Sequence, residues 1–388
     1  MQGEIDNSSC TNQLCLDDRF LERLMTESEA MQRALDLAKR GTGYVSPNPR
    51  VGAVILDKDG NFISEGWHKK FGAHHAEIDA INNANRTDFS DCTLVVNLEP
   101  CFHYGKTPPC VDEIIKHNFK RVVIGMIDPN PMVSGKSIEK LKASSIEVKV
   151  GILEEEAKEI NKGFAKWIKT KEPYIILKIA QSIDGNIALK NGVSQWITSP
   201  ESRSKVQYLR SEVDAILIGK NTAIMDNPHL TVRENDLPTP KRIVLDSHLS
   251  LPLDLNLFTD EYRNKSYIVC DENAISSVKA GLLIEQNVQL IPVRLNYRNK
   301  IDLVHLIRKL GSELSITSIM VEGGAQLFSN FVHNKLVDEF QIFVAPKILG
   351  NGLQAFSDLH IEKMENTTKM HIKSIERIGE DIYIKANC

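Results

Sequence analysis

The sequence predicts a two-domain α/β protein, and three observations carry that expectation. Short apolar runs alternate with segments of helical period along most of the chain, the pattern of sheets covered by helices. At 388 residues the chain exceeds the roughly 100 to 200 residues of one domain, so two cores are expected. Between the two series lies Lys169-Thr170-Lys171-Glu172-Pro173, a polar tract ending in proline that reads as a linker. The expected division is an extension over 1–26, a first domain over 27–168, the linker 169–173 and a second domain over 174–388.

Residues 1–26 show no sustained period, and Cys10 and Cys15 read there as unpaired thiols. A helix starts near Glu27, with Met31, Ala34, Leu35 and Ala38 at helical spacing, and Gly41 and Gly43 stop it. After the loop SPNPR, Val51 to Leu56 reads as a buried strand, DKDG as its turn and Phe62 to Trp67 as the hairpin partner. A helix is expected from about His75 to Asn85, then a strand from Thr93 to Leu98 that delivers Glu99, Pro100 and Cys101. Pro108 and Pro109 set up another helix start, placing Cys110 where the helix dipole favours a thiolate. A strand at Arg121 to Met126, a helix over 137–144 and a strand at Ile146 to Val150 follow. One helix from Glu154 to about Ile168, with Ala157, Ile160, Phe164 and Trp167 on one face, is expected to close the domain.

From Tyr174 a second series begins. YIILKIA, AILIG, RIVLD, SYIVC, VQLIPV, SIMVE, EFQIFVA and EDIYIKA read as strands, with helices at Glu201 to Arg210 and near Leu303 to Leu310. VEGGAQLF reads as a strand, a glycine pair and a helix start. Free N–H groups at such a start can hold a phosphate, although a glycine pair is also simply a tight turn. The G-x-G-x-x-G fingerprint of a dinucleotide fold is missing.

Composition narrows the classes. With 42% hydrophobic and 25% charged residues this is an ordinary globular chain. The net charge of -4, with basic residues dispersed, gives no footprint for a nucleic-acid backbone. No apolar run reaches the roughly 18 to 20 residues that span a bilayer, so no membrane partner is expected. The start MQGEIDNSSC is polar and acidic, unlike a secretory or transit signal. Seven scattered cysteines are not a disulfide framework, and a reducing cytoplasm is the simplest compartment.

The chemistry concentrates between His75 and Cys110. His75, Cys101 and Cys110 offer one imidazole and two thiols, a set suited to one tetrahedral Zn²⁺ with its fourth position left for water. Glu77 is the group to move protons on and off that water, whose pKa the metal lowers toward about 7. Positions two apart on a helix diverge by about 200°, so His75 and Glu77 can share a pocket only if it wraps the first turn. His74 and His103 stand near as competing ligands. Lys106 reads equally as a substrate contact or an exposed loop lysine.

The short zinc-deaminase signature pairs its cysteines as C-x-x-C, whereas eight residues separate Cys101 from Cys110. The run PCFHYGKTPPC, with HHAE and SPNPRVGAVI upstream, resembles the pyrimidine deaminase domain of the bifunctional bacterial riboflavin-pathway enzymes, whose own spacing is this long one. Only His75 fits H-A-E in that pattern; His103 has no place in it, and His74 becomes a pocket or surface residue. Asn48 reads equally as an Asn-Pro turn or, by its resemblance to the matching asparagine of related deaminases, as a contact to the ribose or base edge. The resemblance continues through KIAQSIDGNIAL, SQWITS, LRSEVDAILIGKNT, DNPHLTVR and VEGG, which look like the reductase domain of the same family. It covers about residues 28–385.

The resemblance implies a cytidine-deaminase-like three-layer α/β/α domain followed by a dihydrofolate-reductase-like α/β domain that uses NADPH. It implies that Ala180, Trp196, Thr222, Asp226 and Ser247, with Gly324, Ala325, Gln326, Leu327, Phe328, Ser329 and Asn330, line the NADPH site. Ser194, Arg210, Leu230, Arg233 and Glu322 would hold the sugar-phosphate substrate, the forked guanidinium groups suiting a phosphate. Without it, Trp196 reads as core and the arginines as salt-bridge residues. Lys178 and Asp184 are candidates to orient the sugar, and Asp184-Gly185 is equally a hairpin turn. Lys220-Asn221 depart from the small residues the family often has after the strand ending at Gly219.

The implied activity is hydrolytic deamination of a ribosylated diaminopyrimidinone 5′-phosphate, then NADPH-dependent reduction of its ribosyl group to ribityl. Family members often self-associate through the reductase domain. A deaminase with a degenerate second half, an RNA-base deaminase and a non-catalytic zinc module are the alternatives.

Overall fold

In the computed structural model, which describes residues 24–102, 108–233, 237–297, 299–357 and 359–388, the strands form a five-stranded sheet, a nine-stranded sheet and a two-stranded ribbon. Cys10, Cys15, His103 and Lys106 lie outside the described residues. Among the described residues no helix is long and apolar enough to cross a membrane.

Thr26 caps α1 (Glu27–Lys39) in both directions. Its hydroxyl accepts from Glu29 N at 3.2 Å, and its own N–H donates to the Glu29 carboxylate at 2.8 Å. The expected hairpin of β1 (Gly52–Leu56) and β2 (Phe62–Trp67) is joined by β3 (Thr93–Leu98), β4 (Arg121–Met126) and β5 (Glu147–Val150), in the order β2-β1-β3-β4-β5. β2, β1 and β3 pair antiparallel, and β3, β4 and β5 parallel.

The central strands are apolar on both faces because both are covered. Ala53, Ile55, Val122 and Ile124 face α2 (Ala76–Asn83), α3 (Cys110–Lys116) and α4 (Lys136–Ala143). Val54, Leu56 and Val123 face α1 and α5 (Glu154–Ile160). This is the expected three-layer arrangement.

One expected element is corrected. The helix from Glu154 to about Ile168 is two helices, α5 and α6 (Lys162–Thr170), interrupted at Asn161. The buried Asn161 turns its amide onto the Arg50 backbone, accepting from Arg50 N at 2.8 Å and donating to Arg50 O at 3.0 Å. The helix bends there, so the expected single face divides. Ala157 and Ile160 join the first core, whereas Trp167 donates to Gly311 O at 2.8 Å in the second half. The tract expected as a linker is correspondingly helical up to Thr170.

The second series runs β6 (Tyr174–Ser182), β7 (Asn186–Ala188), α7 (Pro200–Ser211), β8 (Ala215–Gly219), α8 (Lys220–Asp226), β9 (Lys241–Leu245) and α9 (Asn256–Thr259). It continues with β10 (Ser266–Asp271), α10 (Val278–Glu285), β11 (Gln289–Val293), α11 (Leu303–Glu313), β12 (Ser318–Val321) and α12 (Ala325–His333). β13 (Glu339–Ala345), β14 (Leu353–Gln354), β15 (His371–Ile378) and β16 (Asp381–Asn387) complete it. The large sheet has the order β11-β10-β9-β8-β12-β6-β13-β16-β15, parallel through β13 and antiparallel beyond. Alternate residues of its central strands feed two cores, one under α11 and α12 and one under α7, α8, α9 and α10.

The contact between α6 and α11 leaves no room for a side chain at Gly311. A Cβ there would stand 2.0 Å from the Lys171 carbonyl oxygen. Gly311→Ala gains about 1 kcal/mol of helix propensity but incurs an overpacking cost of roughly 1 to 3 kcal/mol against backbone, so the clash decides. The expected result is a lower melting temperature by calorimetry, opposite in sign to the propensity effect.

Candidate functional site

His75 is not in the helix that follows it. It is the N-cap residue of α2, with φ -71° and ψ 162°, so its backbone is extended while Glu77 lies in the first turn. That break in conformation removes the 200° divergence of two helical positions and lets both side chains serve one pocket.

Cys101 is set by a buried carboxylate. Glu99, at the end of β3, accepts from Asp128 N at 3.1 Å, Gly135 N at 2.9 Å and Ser137 N at 3.1 Å, and so caps the start of α4 from a distance. Ser137 Oγ in turn donates to Pro100 O at 2.6 Å, fastening the peptide before Cys101. Cys110 opens α3 after Pro109, and its N–H points at Cys101 Sγ, 3.2 Å away.

His75 Nδ1 lies 3.2 Å from Cys110 Sγ and 3.6 Å from Cys101 Sγ, and the three ligand atoms are all within 4.8 Å of one another. Zinc bonds of about 2.0 Å to nitrogen and 2.3 Å to sulfur, at tetrahedral angles, require ligand atoms roughly 3.5 to 3.8 Å apart. The donor set and its spacing fit zinc. Glu77 is buried beside this triangle, its carboxyl within hydrogen-bond reach of the Cys110 thiol.

The protons follow from the geometry. The hydrogen bond to Cys101 and its charge raise the His75 imidazole to about 9 against its burial. The Cys110 thiol, donating to Cys101, draws the latter down to about 4, with His75 adding to the effect. Cys110 is pushed up by the Cys101 thiolate and by burial. Burial raises Glu77, partly offset by the charge on His75.

His68 was not anticipated. Buried just past β2, it donates from Nδ1 to His74 O at 2.9 Å, which leaves Nε2 as the acceptor for Asn48 Nδ2 at 3.2 Å. Its ring stands edge-on to His75, with centroids 5.3 Å apart. A histidine at a strand end carries no sequence signal for this role. His74 itself is exposed, as a surface residue.

In the second domain the structure brings three expected residues together. Arg210 donates through Nε and Nη2 to Glu322 at 2.8 and 3.1 Å, and Lys178 Nζ reaches the same carboxylate at 3.3 Å. Burial alone would raise Glu322, but the two cations hold it down at about 2. Ser194 Oγ donates to Asp226 at 3.2 Å, and burial raises the Asp226 carboxyl against that bond.

Other expected positions divide. Trp196 is not core: its ring is 59% exposed, with the Arg203 guanidinium 4.6 Å over its centroid. Ala180 is half-buried on β6, and Ser247 follows β9 with its carbonyl accepting from Asp271 N at 2.8 Å. Leu230, at φ 51°, buries its side chain in the core, whereas Arg233 is exposed. Within Gly324 to Asn330, Phe328 and Ser329 turn inward, and Ala325, Gln326, Leu327 and Asn330 remain at least partly accessible. Asp184 is committed to structure, its carboxylate accepting from Ser182, Leu349 N and Gly350 N.

A nucleotide cofactor has room here. Gly219 ends β8 and Gly324 precedes α12, and a Cβ on either would meet open space. Thr222 Oγ1 stands 3.2 Å from where a Cβ on Gly323 would lie, so the turn is close. α12 starts with no side-chain cap among the described residues, leaving its first N–H groups for an anion. Parallel strands place such sites at their carboxyl ends, and these residues fit NADPH.

Without metal at pH 7, His75 and Cys110 are protonated and Cys101 is a thiolate. Metal binding must displace the protons on His75 and Cys110, so affinity falls as pH falls below about 9. Titration calorimetry of the metal-free protein, in buffers of different ionisation enthalpy, is expected to show about two protons released per zinc at pH 7. No proton release would contradict this assignment.

Comparison with known proteins agrees over both halves. The family model described as the RibD C-terminal domain matches residues 173–384. The model for the cytidine and deoxycytidylate deaminase zinc-binding region matches residues 25–126. Riboflavin biosynthesis protein RibD of Aquifex aeolicus is 44% identical over 357 residues, covering 91% of this chain and 96% of its own. That of Escherichia coli K12 is 37% identical over 372 residues, covering 92% and 98%. The solved structure of Acinetobacter baumannii RibD matches with a TM-score of 0.82 at 34% identity, over 94% of this chain and 99% of its own. A Thermotoga maritima structure, described as a diaminohydroxyphosphoribosylaminopyrimidine deaminase and 5-amino-6-(5-phosphoribosylamino)uracil reductase, matches with a TM-score of 0.81 at 36% identity, over 93% and 98%. With a deaminase model on its zinc-ligand domain, a reductase model on its large sheet and full-length relatives spanning both, the chain belongs to the RibD family of bifunctional zinc-dependent deaminases and NADPH-dependent reductases.

Proposed function

We propose that the first domain removes an exocyclic amine from a ribosylated diaminopyrimidinone 5′-phosphate, and that the second reduces the ribosyl group of the product to a ribityl chain. The observation that carries this reading is the triangle of His75, Cys101 and Cys110 with Glu77 buried against it. The Thermotoga relative, described by both activities, supports the substrate class.

When bound, zinc supplies Lewis-acid activation of a water molecule. Glu77 takes one proton from the attacking water and gives it to the ring nitrogen, then takes the second from the hydroxyl left on the ring carbon and gives it to the amine, which leaves as ammonia. Burial strengthens its hold on that proton, which suits a group that must both accept and donate near neutrality. Because Asn48 commits its Nδ2 to His68, its Oδ1 is left to accept from the substrate.

In the second domain the nicotinamide of NADPH supplies the hydride. Ala180, Trp196, Thr222, Asp226, Ser247 and the segment from Gly324 to Asn330 line that cofactor, the exposed Trp196 ring offering a face to stack on. Ser194, Arg210, Leu230, Arg233 and Glu322 hold the sugar phosphate. Leu230 contributes through its backbone, since its side chain is in the core. Arg210 uses three of its five N–H groups on Glu322 and Thr231 O. The exposed Arg233 is the freer phosphate ligand. Glu322, held at about 2, is an acceptor for sugar hydroxyls rather than a proton donor.

A reducing compartment such as the cytoplasm suits Cys101 and Cys110, which must stay as free thiols to take metal. Self-association through the second domain is supported by its edge strand β15, where Ile372 and Ile375 are 60% and 62% exposed.

Two substitutions test the reading. Glu77→Gln is expected to keep its zinc and lose deamination by about 10²- to 10⁴-fold; wild-type ammonia release would sink the assignment. Arg233→Ala is expected to raise the reductase KM for the deaminated ribotide about tenfold and leave the KM for NADPH unchanged. NADPH oxidation with that ribotide also separates this function from that of a deaminase with an inactive second half.

A further inference from the structure

The loop from Thr42 to Arg50 belongs to the first domain and is gripped by both. On one side Asn48 donates to His68, whose ring abuts His75. On the other, Ser46 Oγ donates to Asp214 Oδ2 at 2.7 Å, immediately before β8 of the reductase. That oxygen is itself positioned by Thr317, whose N–H and hydroxyl reach it at 2.6 and 2.8 Å. Gly43, at φ 74°, lies so near Pro238 that a Cβ would approach its ring to 2.1 Å. Arg50 Nη1 stands 3.8 Å from Glu212.

Two features make the Ser46 contact consequential. Between the domains, Ser46 and Asn48 border a cavity of about 290 Å³, so side-chain packing does not hold the middle of the loop. Ser46-Pro47-Asn48-Pro49 is also stiff, because each proline fixes its own φ and restricts the residue before it. A displacement at Ser46 is therefore passed to Asn48 rather than absorbed.

The geometry points to Ser46 and Asp214 as positioning residues for deamination: the reductase domain sets the deaminase's affinity for substrate by holding Asn48 across the domain boundary. This rests on the reading of Asn48 as a substrate contact. Asp214 touches no reacting atom; it acts through Ser46.

The test uses the full-length, zinc-loaded protein with Ser46→Ala, Ser46→Thr and Asn48→Ala, measuring ammonia release, zinc content and NADPH-dependent turnover of the deaminated ribotide. Ser46→Ala is expected to raise the deaminase KM about five- to tenfold, as for one lost hydrogen bond, with kcat within about twofold. Zinc content and reductase turnover stay at wild-type values, and Ser46→Thr, which keeps the hydroxyl, restores most of the affinity. A wild-type deaminase KM in Ser46→Ala, with Asn48→Ala impaired, overturns the positioning role and leaves the reading of Asn48 standing. Normal deamination by Asn48→Ala overturns both. Equal losses in zinc, kcat and reductase turnover would mean that Ser46 is only structural, and would overturn the proposal as well.

Discussion

The deaminase site depends on one backbone change of direction, at His75. As the N-cap residue it is extended, while Ala76 and Glu77 are helical. Were His75 inside the helix, its imidazole and the Glu77 carboxyl would leave the axis on opposite sides, and one pocket could not receive both. The other two ligands are placed by elements that end or begin at the same point: Cys101 beyond β3 and Cys110 at the first position of α3. Three element termini converge, and the charge they bring is balanced there. A protonated His75 faces the Cys101 thiolate when metal is absent, so the triangle is held together before zinc enters.

The two sites handle a buried carboxylate in opposite ways. Burial of Glu77 outweighs the His75 charge and the hydrogen bonds it accepts, one of them from Cys110, so its pKa rises and it can carry a proton. Glu322 is equally buried but lies between Arg210 and Lys178, so it stays ionised at about 2. A hydrolysis that must shuttle protons and a hydride transfer whose chemistry is supplied by a cofactor require these different settings. The contrast arises from the neighbours of each carboxylate and not from its depth.

Most of the strands were legible in the sequence because both faces of each sheet are covered, which turns central strands into unbroken apolar runs such as TLVVNL and AILIG. The zinc ligands were legible because few residue types do that chemistry. What escaped was of another kind. Helices α8, α9 and α10 are short and their patterns weak, with α9 spanning only Asn256–Thr259. Trp196 looks like core by composition yet is exposed, and no local pattern encodes that. His68, Glu99 and Asp214 act through partners distant in sequence, Glu99 bonding to Asp128, Gly135 and Ser137. A single polar residue gives no sign of such partners.

Asn161 shows how far one such residue can reach. An asparagine in a helical pattern reads as a tolerated surface position, and the periodicity on either side of it supports one continuous helix. Its amide instead satisfies both the N–H and the C=O of Arg50, and Asn97 shares that carbonyl at 3.1 Å. Without Asn161 the Arg50 N–H would lose this partner while Asn97 kept the carbonyl, so the bond to the N–H is what offsets interrupting the helix by one residue. The interruption then lets α5 stay with the first core while α6 docks on the second, through Trp167 on Gly311 and Lys166 on Asp338. The same bond that anchors the end of the Asn48 loop thus sets the direction in which the chain enters the reductase. Loop position and domain placement are two consequences of one side chain, and a substitution at Asn161 would disturb both together.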